Sequence, residues 1–399
     1  MFFTFTGDRD LAGPIESTIR SAHRAAALAV AALLVLTALP QPCAAGETGP
    51  SSMAPLPPPL PQRLSDTGLY TPGSPSTVRA DNHPFTPQYP LWSDGASKRR
   101  WIHLPPGAAI DASDPDAWQF PLGTRLWKEF AHAGRPVETR LIERLPDGAW
   151  RFASYVWNAQ GTDAVLAPER GIRSLPAPDA PGGVYAVPSR SDCRACHDGG
   201  PSPVLGFGAL QLSPYRDPNV VHAETPVAQN LDLARLQTLR LLRNLPANLR
   251  DTPPRIAAPD ATARAALGYL HANCGHCHND AGGVDGLDMV LLQRTADPAA
   301  SVLRTVRSLF GRTSHYQSGA SERQSDKFAQ RVDTGNVDAS MLLQRMVSGQ
   351  ASQRMPPLGV SVPDAAGMAL IRLWISGQGR QHLLSRSPPP PTQPQENLP

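Results

Sequence analysis

The sequence predicts an α+β protein in which a β-rich N-terminal region precedes a mostly helical part. Three short segments, "TRLWKEF", "VETRLIERL" and "AWRFASYVW", are rich in β-branched and aromatic residues and are separated by turn signals such as "PDG". Segments of this kind are typical of an antiparallel meander. Further along, "AQNLDLARLQTLRLLRNLP" (228–246) and "PDATARAALGYLHANCGHCH" carry apolar residues at helical spacing, and Asn230 and Asp260 are the expected N-caps of the two helices. With 399 residues, of which 41% are hydrophobic, the chain is long enough for more than one domain.

An apolar stretch near the N-terminus predicts export. Residues 25–39, "AAALAVAALLVLTAL", follow basic residues and precede the small residues of "CAAGE". The stretch is short for a membrane span of about twenty residues, but it suits the core of a secretory signal with cleavage after Ala45. An uncleaved anchor that leaves the chain facing the periplasm is the alternative. A lipid anchor on Cys43 fits less well, because Pro40-Gln41-Pro42 precedes it.

The net charge argues against nucleic-acid binding, and the proline content helps to define the segments of the chain. The formal net charge of +3 gives no electrostatic support for nucleic-acid binding. The 44 prolines concentrate in two segments that read as extended chain. We therefore expect a signal peptide (1–45), a Pro-rich linker (46–62), a β-rich region (63–190), a first motif segment (191–254), a helical domain with the second motif (255–379) and a Pro-rich tail (380–399). No membrane span is expected in the mature chain.

The pattern C-x-x-C-H occurs twice and points to bound haem. It uses four of the five cysteines, so no set of thiols remains for a disulfide framework. A c-type haem is joined through thioether bonds to both cysteines, and the adjacent histidine ligates its iron. The sequence therefore predicts two covalently bound c-type haems. Their attachment and iron-ligating residues are Cys193, Cys196 and His197 for the first, and Cys274, Cys277 and His278 for the second.

Two other uses of paired cysteines fit less well. A four-cysteine zinc site would need both pairs to converge, yet Cys193 and Cys274 lie 81 positions apart, against about 15 to 20 in a zinc ribbon. A thioredoxin-like dithiol would need βαβ periodicity around the motif, and neither motif has it. Export also favours haem, since a free periplasmic dithiol tends to oxidise.

The sequence does not fix the sixth ligand of the first iron. No methionine occurs between residues 54 and 288, so this iron must take a histidine, borrow a distant methionine or stay open. We expect His222, because it follows His197 by 25 residues and glycines and prolines between them let the chain return. The other histidines in that half of the chain are His83, His103 and His132.

The second iron has a more definite candidate. Met355 stands in "QRMPPLG", 77 residues after His278, and Pro356-Pro357 restrict its backbone. A thioether opposite histidine raises a haem's potential relative to two histidines. Met341 and Met346 are expected to pack within a helix. "PDAAGMALIRLWISG" predicts a terminal helix that crosses the helix before the second motif. Gly268 is expected to allow the two helices to approach closely at the crossing.

These segments together resemble a known family. Residues 255–379 are similar to a class I cytochrome c domain. The chain from 62 to 379 resembles an uncharacterised family of bacterial dihaem c-type cytochromes. The resemblance implies haem binding and a periplasmic redox partner, of which a sugar-dehydrogenase-like enzyme is one class, since similar segments occur beside such β-propellers. It is carried by "RLSDTGLY", "YPLWSDGASKRRWIHLPPG", "FPLGTRLWKEF", "VETRLIE", "ASYVWN", "CRACHDGGPSPVLGFGALQLS", "NCGHCHN" and "MPPLG".

Two classes of function follow from two haems. The favoured class is an electron-transfer protein that relays single electrons between a periplasmic donor and a respiratory acceptor. The alternative is a catalytic oxidoreductase, by analogy with bacterial dihaem peroxidases, in which an open first haem reacts and the Met-ligated haem feeds it. The spin state of the first iron separates the two classes.

Overall fold

Three long antiparallel strands form the centre of the β-rich region. The computed structural model describes residues 58–281, 284, 286–316 and 329–386, all within one unit, Leu56–Pro399. The expected signal peptide, Cys43, most of the Pro-rich linker and residues 387–399 of the tail lie outside the described residues. The predicted strands 124–130, 137–145 and 149–157 are present. They are β6 (Arg125–His132), β7 (Arg135–Arg144) and β8 (Trp150–Trp157).

These strands belong to a six-stranded antiparallel sheet with the order β3-β4-β6-β7-β8-β9. Its other members are β3 (His83–Pro84), β4 (Ser97–His103) and β9 (Ala164–Leu166). Short pairs surround it: β1 (Tyr70–Thr71) with β2 (Ser74–Val78), β5 (Ile110–Asp111) with β12 (Leu242–Arg243), and β10 (Ile172–Pro176) with β11 (Val184–Val187).

The two faces of the sheet bury different cores, because side chains alternate along each strand. On one face Trp101 pairs directly with Trp127, and both pack in a cluster with Tyr155. On the other face Leu126 packs in a second cluster with residues 204–249. The segment after the first motif is thus a layer on the sheet.

Helices dominate the later half of the described chain, so the β-rich part precedes the helical part as predicted. Short 3-10 turns lie at Leu64–Thr67, Pro181–Gly183 and Val337–Ala339. The α-helices are α1 (Arg190–His197), α2 (Leu233–Thr238), α3 (Ala247–Asp251), α4 (Ala261–Asn273), α5 (Pro298–Leu309), α6 (Met341–Val347) and α7 (Ala365–Arg386).

The predicted helix over 228–246 is much shorter in the structure. It begins at Asp232, whose carboxylate accepts a hydrogen bond from the backbone N–H of Arg235, so Asn230 is not the cap. After Thr238 the chain turns through the left-handed conformation at Arg240 and Leu242 pairs with β5. A tertiary strand pairing therefore overrides the helical periodicity here.

The helix before the second motif matches the prediction more closely. Asp260 caps α4 by accepting a 2.8 Å hydrogen bond from the N–H of Ala263. The terminal helix is present as α7 and packs on α4. Its close approach comes from Gly367, where a Cβ would lie 2.4 Å from the Tyr269 ring. Gly268, expected to admit that helix, instead admits the ring of Tyr89.

Candidate functional site

The first motif forms the C-terminal half of α1. Ser189 caps this helix: its hydroxyl accepts from the N–H of Asp192, and the Asp192 carboxylate accepts from the N–H of Ser189. Residues three and four apart share one face of a helix. Cys193, Cys196 and His197 therefore project together from α1 toward the same side.

His197 is oriented as an iron ligand requires. Its Nδ1 donates a 2.5 Å hydrogen bond to the carbonyl oxygen of Pro203. A carbonyl can only accept, so the proton sits on Nδ1 and Nε2 keeps a free lone pair. The ring packs 5.0 Å from that of Phe152. Burial lowers the pKa of His197 to about 4, so its imidazole is neutral near pH 7.

A cavity of about 260 Å³ opens beside this motif. One water needs roughly 10–15 Å³ on the same measure, so the space suits a far larger group. Its walls come from β-sheet side chains, from the loop after the motif and from the second motif. Among its lining residues are Cys193, Cys196, His197, Phe152, His271, His276 and Leu358.

A row of basic side chains crosses the sheet wall of this first cavity. Arg100, Lys128 and Arg140 are directly paired across β4, β6 and β7, and all three line the cavity. Glu224 accepts hydrogen bonds from Arg100, and Glu138 accepts them from Arg140.

Lys128 differs from its two neighbours in that row. It makes no ion pair or hydrogen bond with any described residue, and its Nζ lies 4.9 Å from the centroid of the Phe130 ring. Burial lowers the pKa of Lys128 well below its usual value. An unpaired amine in the cavity wall would suit an anionic group of a bound molecule.

The second motif is a helical turn at the end of α4. The N–H of His278 donates to the carbonyl of Cys274 across 2.9 Å. Gly275 is required at the next position, because a Cβ there would lie 2.6 Å from the carbonyl oxygen of His271 and 2.9 Å from the Cα of Leu292. The turn that carries both thiols thus packs closely against the backbone of His271 and Leu292.

A second cavity, of about 190 Å³, adjoins this turn. Its lining includes Cys274, Cys277 and His278 on one side, and the structure brings Met355 to the same cavity. The backbone of Met355 is anchored, since its N–H donates to the carbonyl of Arg345 across 2.9 Å. Met289, Met341 and Met346 also line the cavity, and the last two are buried on α6.

His278 lacks the outer contact that His197 has. Its Nδ1 is buried without a hydrogen-bond partner among the described residues. Burial lowers its pKa to about 4, so its ring is also neutral near pH 7. A neutral imidazole is the form that binds a metal.

The two motifs touch each other, although they are far apart in sequence. The Sγ of Cys277 lies 4.0 Å from the carbonyl oxygen of Ala195, within the first motif. The side-chain amide of Asn279 donates to the carbonyl of Gly199 across 2.7 Å and also to those of Gly275 and His276. Sequence reasoning did not anticipate this junction.

The pKa values of the thiols bear on the dithiol alternative, and the arrangement of the side chains bears on the zinc alternative. Burial raises the pKa of Cys193 and of Cys196 to about 11 and that of Cys274 to about 12. A redox-active dithiol needs a thiolate, which a low pKa favours, so these raised pKa values do not favour the dithiol alternative. Although the motifs adjoin, no group of three or more His, Cys, Asp or Glu side chains is arranged to hold a metal ion in the part of the chain that the structure describes.

His222 does not reach the first cavity. Its Nε2 lies 2.8 Å from Oδ1 of Asp364, and its ring packs 4.7 Å from that of Trp92. Both contacts hold it beside the start of α7, and it is absent from the cavity lining. The prediction that His222 closes the first iron therefore has no geometric support.

The other histidines of the first half are also placed elsewhere. The Nδ1 of His103 lies 3.6 Å from a carboxylate oxygen of Asp81, and the ring of His132 lies 5.9 Å from that of Tyr185. Neither His103, His132 nor His83 lines the first cavity. Sequence reasoning passed over His271 and His276, which do line it. The signal for His276 was its position inside the second motif.

Comparison of the chain with protein-family models, with curated proteins and with solved structures found no match. Within the residues that the structure describes, no helix is long and apolar enough to cross a membrane.

Proposed function

We propose that this chain is a periplasmic dihaem c-type cytochrome that passes single electrons between a periplasmic donor and a respiratory acceptor. The observation that carries the proposal is the arrangement of the motifs. Each cysteine pair lines its own cavity together with its own histidine, and the motifs meet where Cys277 contacts Ala195.

The residues present fit two haems. Cys193 and Cys196 would hold the first, and Cys274 and Cys277 the second, with His197 and His278 as the adjacent iron ligands. Bound haem would supply one-electron redox chemistry at iron. Met355 shares a cavity with His278 and would complete the second iron, which raises its potential relative to bis-histidine ligation.

The chain's own side chains provide the setting for such a relay. The hydrogen bond from His197 to Pro203 fixes the ring's orientation and its tautomer. Apolar side chains such as Phe152 and Leu126 form part of the wall of the first cavity, and Leu291 and Met341 form part of the second. The contact between the motifs would give electrons a route from one haem to the other through the chain. The proposed donor is a periplasmic redox protein, and the sequence resemblance implies a sugar-dehydrogenase-like enzyme as one class.

The proposal is tested by expressing the full chain in a bacterium that matures c-type cytochromes. We expect export, haem stain that survives denaturing electrophoresis and a pyridine haemochrome count of two haems per chain. Replacing both cysteines of either motif by serine should leave one haem, whereas Cys43→Ser should leave two. Bound zinc, or a wild-type protein without covalent haem, would overturn the proposal.

One observation favours a catalytic second candidate. The backbone N–H of Gln293 donates to Nδ1 of His271 across 3.1 Å, so the proton of that ring sits on Nε2 in a residue that lines the first cavity. An open first iron would then share its cavity with a proton-bearing imidazole, as a peroxidase-like enzyme requires. Turnover of peroxide with a reduced donor would favour this candidate.

A further inference from the structure

We propose that His276, the middle residue of the second motif, is the sixth ligand of the first iron. This inference rests on the proposed function. It assigns to one motif a ligand for each of the two irons, with His278 serving the second and His276 the first.

The first step is elimination among the residues that line the first cavity. Apart from His197, the described side chains there that offer a nitrogen lone pair to iron are His271, His276 and Lys128. No methionine lines this cavity. Guanidinium groups stay protonated and cannot ligate, which removes Arg100 and Arg140.

The hydrogen bond of His271 fixes the tautomer that leaves no lone pair for iron. Its Nδ1 accepts the hydrogen bond from Gln293, so a neutral ring carries its proton on Nε2 and has no second lone pair for iron. Lys128 projects from the sheet face that also carries Phe152, and Phe152 packs against His197. Lys128 thus belongs to the sheet wall, which also carries the ring that packs on His197, whereas His276 comes from the second motif.

His276 has neither constraint. Neither of its ring nitrogens has a hydrogen-bond partner among the described residues, and it lines both cavities. It belongs to the second motif, which forms a different wall from the sheet and α1.

Helical geometry explains how one motif can face two cavities. The turn from Cys274 to His278 closes with a helical hydrogen bond. At about 100° per residue, Cys274, Cys277 and His278 share one side of the turn, while position 276 points to the opposite side. His276 therefore lies on a different side of the turn from Cys274, Cys277 and His278, although it lines the second cavity as well as the first.

The consequence is a short covalent route between the irons. His276, Cys277 and His278 are consecutive, so the ligands of both irons are separated by a single residue. Electrons would then exchange through this peptide rather than through solvent.

The test uses the full-length holoprotein and spectroscopy. In His276→Ala we expect two covalent haems to remain, because C-x-x-C-H is intact. One haem should become high-spin by low-temperature electron paramagnetic resonance and, once reduced, should bind carbon monoxide. Added imidazole should restore the low-spin signal. His276→Met should stay low-spin while raising the potential of the first haem, which keeps a ligand in place if the alanine variant folds poorly.

Matched variants identify the ligand. His271→Ala, Lys128→Met and His222→Ala should each keep both haems low-spin. The inference is overturned if one of these controls gives the high-spin haem, if His276→Ala leaves both haems low-spin, or if the wild-type first haem is already high-spin. A wild-type haem count below two would instead overturn the proposed function, so the two failures are distinguishable.

Discussion

The side-chain amide of Asn279 donates a 2.7 Å hydrogen bond to the carbonyl oxygen of Gly199, and so joins the two cysteine motifs. The same amide also serves the carbonyls of Gly275 and His276, and Asn279 is buried. Removal of this side chain would therefore leave three backbone acceptors without the amide donor that they share.

Asn279→Ala is expected to destabilise the protein by about 1–3 kcal/mol, since buried acceptors would lose their donor. Chemical denaturation followed by circular dichroism measures this change. Gln119→Ala, which removes an exposed side-chain amide that donates to the carbonyl of Ala117 across 3.3 Å, should stay within about 0.5 kcal/mol of wild type. Equal effects of the two substitutions would contradict the role given to Asn279.

Met355→Ala should remove the thioether from the second cavity. We expect loss of the weak far-red absorption of the ferric protein and a lower potential for that haem, as the ligand rule requires. Visible spectra and a redox titration report both changes. Met341→Ala and Met346→Ala should keep the absorption while costing about 2–5 kcal/mol of stability, because both side chains are buried. The reverse pattern would assign the ligand to α6.

Gly275→Ala should disturb the second motif. Its Cβ would press on the carbonyl of His271 and on Leu292, so we expect a loss of about 1–3 kcal/mol and reduced occupancy of the second haem. Gly200→Ala is the control, because its Cβ would meet the carbonyl oxygen of His276 at an ordinary 3.8 Å. Haem counting and thermal unfolding compare the two variants. Equal tolerance of both would show that the turn at Gly275 is looser than its contacts indicate.

Acidification should weaken the first site in a defined pH window. Burial holds the pKa of His197 at about 4, against 6.5 for an ordinary imidazole. As pH falls below about 6.5 the unfolded chain gains this proton and the folded chain does not. The stability due to this group is thus fully present above about pH 6.5 and is lost as pH falls toward 4.

Unfolding of the haem-free chain, measured at each pH, follows this change. Phe152→Leu exposes more of the His197 ring and should raise its pKa, so the acid-induced loss of stability should be smaller and should end at a higher pH. A loss that is unchanged in this variant would show that packing by Phe152 does not set the proton affinity of His197.

Local patterns accounted for much of the fold. Aromatic and β-branched residues in short segments predicted β6, β7 and β8, because the side chains of a strand alternate between its two faces from one residue to the next. Asp260 was identified as a helix cap for the same reason, since a cap bonds to a neighbour three residues away. By contrast, the helix expected over 228–246 failed where Leu242 pairs with Ile110, a partner more than a hundred residues earlier.

In the candidate site, too, local sequence determined some features and tertiary packing determined others. The sequence by itself determined which side chains stand together in each motif, because both cysteines and the histidine lie within one helical turn. It also indicated Met355, which the fold brings to the cavity of His278. Only the tertiary structure decided that the motifs adjoin, that His222 bonds to Asp364 and that His276 faces the first cavity. These contacts depend on how the sheet, α1 and α4 pack against each other, and no local spacing encodes the packing of segments that are distant in the chain.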